Sequence, residues 1–194
     1  MRALLTGLLA ALLLLLASSC GAAAPDDSAL PPAHPALRAE LLRMLKLDQE
    51  VRTLDAAQED WDRVEKANTD RMRQILDAHG WPGHELVGKD GAHAAWALIQ
   101  HADRDLDLQR RGLALMRAAV QDDDADPSDL AYLIDRVRVA EKKPQVYGTQ
   151  WETDATGAWR PRTPIENEAQ VDERRAAAGM KPLREYLKEL QSVQ

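Results

Sequence analysis

Phenylalanine is absent from this chain and cysteine occurs once, so neither a disulfide framework nor a thiolate zinc site can be assembled within it. Aromatic residues amount to only 4% and come as five Trp and three Tyr. Basic charge is also in deficit: the formal net charge is -7, or -8 once Arg2 is set aside with a leader. That balance argues against a nucleic-acid footprint and against a basic patch for anionic lipid. The five His are scattered. With 45% hydrophobic and 29% charged residues over 194 positions, the composition fits one soluble domain plus appendages.

The first 19 residues hold one Arg, then a Leu- and Ala-rich run, then small residues. This is the layout of a signal peptide and is too short for a convincing membrane span. Leu16, Ala17, Ser18 and Ser19 directly precede Cys20 and resemble the lipobox of bacterial lipoproteins. Cys20 is then expected to be acylated as the mature N-terminus, and several acyl chains on one residue anchor stably. The alternative is an ordinary cleaved leader with a spare Cys. Gly21 carries no acidic retention signal, so the outer membrane is expected in a Gram-negative host and the plasma-membrane surface otherwise. Residues 20–35 read as lipidated Cys and flexible tether, with His34 solvated, and residues 36–194 as a single helical domain.

The domain centres on Ala92 to Asp103, AHAAWALIQHAD, which is apolar almost all round and rich in Ala, so it belongs inside. Asp90 is the expected N-cap after a loop from Gly83 to Lys89. Before it, Leu37, Leu41, Met44, Leu45 and Val51 share one face of a helix from Ala36 to about Leu54. Asp48 lies in the middle of that face, one turn from Arg52, where the two can pair. A second helix over Gln58 to His79 stops at Gly80, Trp81 and Pro82, with His79 at its favourable cationic end. A helix from Leu106 to Val120 carries Gln109 in its apolar stripe, and a buried amide there needs partners, which Gln100 to Asp103 can supply. The acidic run Asp122 to Asp126 reads as a solvated loop lacking the glycine and distal Glu of an EF-hand.

Asp126 and Pro127 open a helix to about Ala140 with a core face of Leu130, Leu133, Ile134 and Val137. Tyr132, Asp135 and Arg136 lie opposite, facing either solvent or a further layer. Beyond Pro144 the pattern turns to β-favouring residues, with a turn over Asp154 to Gly157. Gln145, Tyr147, Thr149 and Gln150 there offer hydrogen bonds to a polar ligand or to the helices. Asn167 is the expected cap of a short helix with Arg174 and Arg175, ended by Gly179, and Leu183 to Leu190 forms the last helix. The expected fold is mainly α, a compact multi-helix domain with a small β-hairpin or extended loop near residues 145–162.

The motifs DQEVR (48–52), HGWPG (79–83), QHAD (100–103), AYLIDRV (131–137), QVYGTQ (145–150) and VDERR (171–175) together resemble an uncharacterised bacterial family, a domain of unknown function. The resemblance spans nearly the whole domain from about Leu37 onward. It implies a fold unit but no reaction, cofactor or partner.

Three functions follow from the residues. In the first, the domain binds a polar small molecule or an envelope protein through a pocket drawn from Asp48, Arg52, Gln100, His101, Asp103, Gln109, Asp135, Arg136, Gln145, Tyr147, Gln150 and Arg175. The second is a hydrolase-like enzyme with His101 as general base, oriented by Asp103 or Asp135, with Arg52 or Arg136 holding an anionic group. A metal-assisted form of it requires His101 and carboxylates from Asp48, Asp103 or Asp135 to meet in space. In the third, the motif residues form one buried hydrogen-bond network that specifies the fold. No metal or cofactor is assigned, because His93 and His101 are two turns apart, too far to chelate one ion.

Overall fold

The computed structural model describes residues 31–52 and 56–192. The leader over 1–19, Cys20 and most of the expected tether lie outside the described residues, as does Leu54, the expected end of the first helix.

Helix α1 (Pro35–Val51) starts where Pro35 supplies a preset φ and the His34 Nδ1 accepts the Leu37 N–H at 3.2 Å. His34 is therefore a half-buried cap rather than a solvated tether residue. The backbone N–H groups of Ala33 and His34 also donate to the carbonyls of Glu85 and Leu86, so the domain takes hold of the chain two residues before the helix. Helix α2 (Gln58–His79) returns and ends at Gly80, whose φ of 69° is one that L side chains rarely adopt. Trp81 then folds under the helix end and is buried.

Helix α3 (His84–Gln100) starts earlier than expected. Gly88, at φ 73° and ψ 166°, bends it one turn in, so the expected loop holds a helical turn. Asp90 does not cap that start; it pairs with Arg38 of α1 and accepts the Gly91 N–H. Beyond the bend, Ala92, Ala94, Ala95, Ala97, Leu98 and Ile99 are all buried. Small side chains let α1 lie along α3 in the most extensive helix contact of the fold.

Helices α4 (Leu106–Gln121) and α5 (Pro127–Ala140) complete the core, each opened by an aspartate: Asp105 accepts the Leu108 N–H and Asp126 that of Ser128. Asp124 accepts the Glu85 N–H at the start of α3, so the acidic run has structural partners at its end. Strands β1 (Trp151–Thr153) and β2 (Trp159–Pro161) pair antiparallel, Glu152 opposite Arg160, around a turn in which Asp154 accepts from Thr156 and Ala158. A 3-10 turn (Glu168–Gln170), α6 (Val171–Ala177) and α7 (Leu183–Ser192) follow. Asn167 takes a left-handed conformation and makes no side-chain cap, contrary to expectation. Among the described residues no helix is long and apolar enough to cross a membrane.

Close packing of α4 on α3 depends on Gly112, where an added Cβ would meet Ile99 Cγ2 at 2.7 Å. Gly112→Ala is therefore expected to cost about 1–3 kcal/mol through overpacking, read by urea denaturation. An unchanged midpoint would show that the two helices can separate freely.

Candidate functional site

The motif residues divide into two groups according to whether their polar atoms are matched. Asp135 belongs to the matched group. Its carboxylate, with 0% exposure, accepts the N–H groups of Val146 (2.6 Å), Tyr147 (3.2 Å) and Thr149 (3.0 Å) and the Thr149 hydroxyl (3.1 Å). Burial raises the pKa of this carboxyl, while the donors of Thr149, Val146 and Tyr147 act against that rise. Gln145 bridges the same segment, accepting the Gln150 N–H at 2.7 Å and donating to the carbonyls of Gln150 and Thr163. Arg175 donates to the carbonyls of Tyr147 and Lys181, with its guanidinium 4.9 Å from the Tyr186 ring. Its neighbour Arg174 reaches the Val146 carbonyl. The opposite face of α5 is thus covered by the chain over 145–150.

The unmatched group lies where the C-terminal ends of α1 and α3 meet. Asp48 and Arg52 pair as the spacing predicted, with Nε at 2.9 Å and Nη2 at 3.2 Å from the two carboxylate oxygens. The same carboxylate receives His101 Nδ1 at 2.7 Å. His101 is therefore oriented by Asp48, and neither Asp103 nor Asp135 fills that role, because both are engaged elsewhere. Burial would raise the Asp48 carboxyl, but His101 and Arg52 outweigh it and hold the group ionised below its ordinary range. Burial lowers His101, with Arg52 and Arg136 adding like charge against the pull of Asp48. The imidazole is neutral, its Nδ1–H donates to Asp48, and Nε2 is left as a lone pair. That Nε2 is buried without a partner.

Arg136 completes the group. It is 5% exposed, its Nε is buried with no partner, and its one ion pair among the described residues is with Asp103 at 3.6 Å, beyond hydrogen-bond reach. Burial lowers this guanidinium, Asp103 supports its charge, and Arg162 and Arg52 oppose it. Gln109 occupies its expected place, donating to the Gln100 carbonyl at 3.0 Å and approaching Asp103 at 3.4 Å. The Gln100 side-chain oxygen is buried without a hydrogen bond, and Glu65, also buried, has Arg104 beside it with Nε 3.6 Å from a carboxylate oxygen. Glu65 went unnoticed in the sequence although it falls one turn after Trp61 and two before Met72, on the face of α2 that is buried. Burial raises its carboxyl, opposed by Arg104.

Of the three carboxylates named for a metal-assisted reaction, Asp48 alone reaches His101, at 2.7 Å. Asp135 serves the 146–149 backbone, Asp103 serves Arg136 and Gln109, and Asp48 is shared with Arg52. Among the described residues no three His, Cys, Asp or Glu side chains are placed to hold a metal ion.

A cavity of about 580 Å³ lies elsewhere, lined by Trp81, His84, Lys89, His93, Met116 and Asp129 among others. There His93 Nδ1 meets Asp129 Oδ2 at 2.8 Å, a pair across 36 residues that the sequence reading missed. Three of the cavity's carboxylates are engaged, Asp129 by His93, Asp90 by Arg38 and Asp126 in capping α5, while the buried Trp81 indole N–H has no partner. Size favours this cavity as a binding site, but an unmatched charged group beside an unmatched imidazole nitrogen favours the His101–Arg136 centre. We give the second criterion more weight, because a buried group without a partner carries a free-energy cost that a ligand can remove.

These features define a helical domain in which five of the six motifs meet at the joined helix ends and along the covered face of α5, while HGWPG lies at the other end, where His79 packs on His34 and Trp81 lines the cavity. The chain belongs to a family of unknown function, DUF6624, whose model matches residues 35–194. No curated protein and no solved structure matches it.

The opposed histidines set the pH response. His101, lowered in the fold, stays neutral while the unfolded chain takes a proton below the ordinary value of 6.5, so stability falls as pH drops through and below 6.5. His93, raised by Asp129, contributes stability that is full below 6.5 and lost as pH rises through its higher folded value. Melting temperature followed against pH should therefore drop on the acid side, and His101→Gln should flatten that limb alone. An acid limb unchanged in His101→Gln would assign it to other groups.

Proposed function

We propose that this protein is a lipid-anchored envelope lipoprotein whose helical domain binds a polar small molecule at the His101–Arg136 centre. The anchor rests on the leader-like first 19 residues and the small residues directly before the only Cys, Cys20. The outer membrane is the proposed destination in a Gram-negative host. One observation carries the binding reading: a buried guanidinium and a buried imidazole nitrogen, Arg136 Nε and His101 Nε2, have no hydrogen-bond partner. Leaving such donors and acceptors unmet costs about 1–3 kcal/mol each, more for a charged group, and a bound molecule relieves that cost. The occupant is a small molecule rather than an envelope protein, because these atoms are too buried to meet another folded surface.

A catalytic role finds less support. Asp48 holds His101 as a carboxylate orients a general base, yet Nε2 has no hydroxyl or thiol partner to activate. The matched network around Asp135 needs no ligand and supports a fold-specifying role for that half of the motifs.

Growing cells on labelled palmitate should label the chain and bring it to the membrane fraction, and Cys20→Ser should abolish both. Retention of label in Cys20→Ser would sink the anchor. For binding, a thermal-shift screen of the full chain in detergent against amino acids, sugars, nucleotides and organic acids should give at least one hit. His101→Gln should lose that hit while remaining folded. A screen without hits, with His101→Gln merely less stable, would leave the centre a structural feature.

A further inference from the structure

We propose that the His101–Arg136 centre takes an oxyanion that also carries a hydroxyl group, a hydrogen phosphate or a hydroxy-carboxylate, with an anionic oxygen on Arg136 and the O–H donated to His101 Nε2. This rests on the binding reading above and names the class of ligand. The complementarity is read from what each group lacks. A guanidinium has donors only, and Arg136 spends none of them on Asp103, which lies 3.6 Å away. Its missing partner must be an acceptor, and charge makes an anionic oxygen the strongest one.

His101 lacks the opposite kind of partner. With Nδ1 at 2.7 Å from an Asp48 carboxylate that Arg52 also grips, the ring proton sits on Nδ1 and Nε2 can only accept. A bare carboxylate or sulfate would meet Arg136 and leave Nε2 empty. A neutral alcohol would meet Nε2 and leave the guanidinium uncompensated. Only a ligand with both functions answers both.

The surrounding charges agree. Arg52 and Arg162 lie within electrostatic reach of Arg136, and among the described residues only Arg52 of these three guanidiniums holds a carboxylate at hydrogen-bond distance. Arg162 stands 3.7 Å from Glu152, which Arg160 holds at 2.7 Å. Asp103 after α3 and Tyr186 on α7 also act on Arg136, while Glu65 on α2 lies within electrostatic reach of Asp103 and Arg52 and is opposed by Arg104, which follows α3.

The test is a melting-temperature titration of the full chain in detergent with four probes: sodium phosphate, glycerate, sulfate and acetate, with glycerol as the uncharged control. Phosphate or glycerate at about 100 times its Kd should raise the melting temperature by about 5–10 °C, and which of the two acts separates a phosphate source from a hydroxy-acid source. Sulfate, acetate and glycerol should bind at least tenfold more weakly. Arg136→Met should abolish the response while melting no lower than the unliganded parent, since it removes a buried charge whose Nε has no hydrogen-bond partner. Arg136→Lys, which keeps one charged donor group, should retain a weakened response.

Equal shifts in Arg136→Met would mark a general salt effect and overturn the proposal. So would unliganded Arg136→Met and Arg136→Lys that both melt far below the parent, because Arg136 would then hold the fold together. A response to glycerol but to no anion would overturn the ligand class and leave the binding reading standing. Silence of all five probes here, with a hit elsewhere in the broader screen, would do the same. Silence in both would remove both.

Discussion

The buried carboxylate of Asp135 is the constraint on which the C-terminal third of the chain depends. The segment 145–150 has almost no sheet partners, only an isolated bridge from Gln145 to Ile165, yet its backbone is largely buried. Gln145 and the Gln150 carbonyl pair with the backbone of Pro164, Glu166 and Arg162, and the N–H and C=O groups between them find side chains instead. Asp135 takes three N–H groups, Gln145 serves Gln150 from both sides, Arg174 and Arg175 take the Val146 and Tyr147 carbonyls, and the Tyr186 hydroxyl takes that of Thr149. Replacing the carboxylate with an apolar residue would strand several donors at once. The hairpin and the last two helices hang from this attachment, and the same covering layer encloses Arg136, the next residue on α5.

Two kinds of buried charge result, side by side. Asp135 is surrounded by donors that suit its ionised form, so its burial is compensated within the chain. Arg136 is enclosed with it, its Nε is without a partner, and its one ion pair among the described residues is with a distant Asp103. A buried charge of the second kind weakens a fold unless something else answers it. Placing such a residue beside an oriented neutral histidine is the arrangement expected of a binding centre, where stability is traded for a site.

Much of this fold was legible in the residues. Apolar periodicity located α2 and α5 to the residue, the Gly80–Trp81–Pro82 stop held, and the placement of Asp48, Arg52 and Gln109 on apolar faces predicted their burial and some of their partners. Periodicity reports a face but not what covers it, so Tyr132, Asp135 and Arg136 stayed open between solvent and a second layer. Partners far apart in sequence were beyond its reach: nothing local joins Asp48 to His101 across 53 residues or His93 to Asp129 across 36. The bend at Gly88 was read as a loop because glycine marks a change of direction without saying whether a helix resumes on both sides.

The parallel course of α1 and α3 gives the two ends of the domain different surroundings. Both helices start where Ala33 and His34 dock on Glu85 and Leu86, and both finish at the Asp48–His101 contact. Thirteen residues of α1 separate Pro35 from Asp48, about 20 Å at the helical rise. In the proposed lipid-anchored arrangement the tether enters at the first end, beside the cavity that holds His84 and Lys89. The His101–Arg136 centre lies at the far end of the same helix pair. In that proposed arrangement the anchor and the proposed site would stand apart by the length of one helix, so contacts at the point where the chain enters need not disturb the centre.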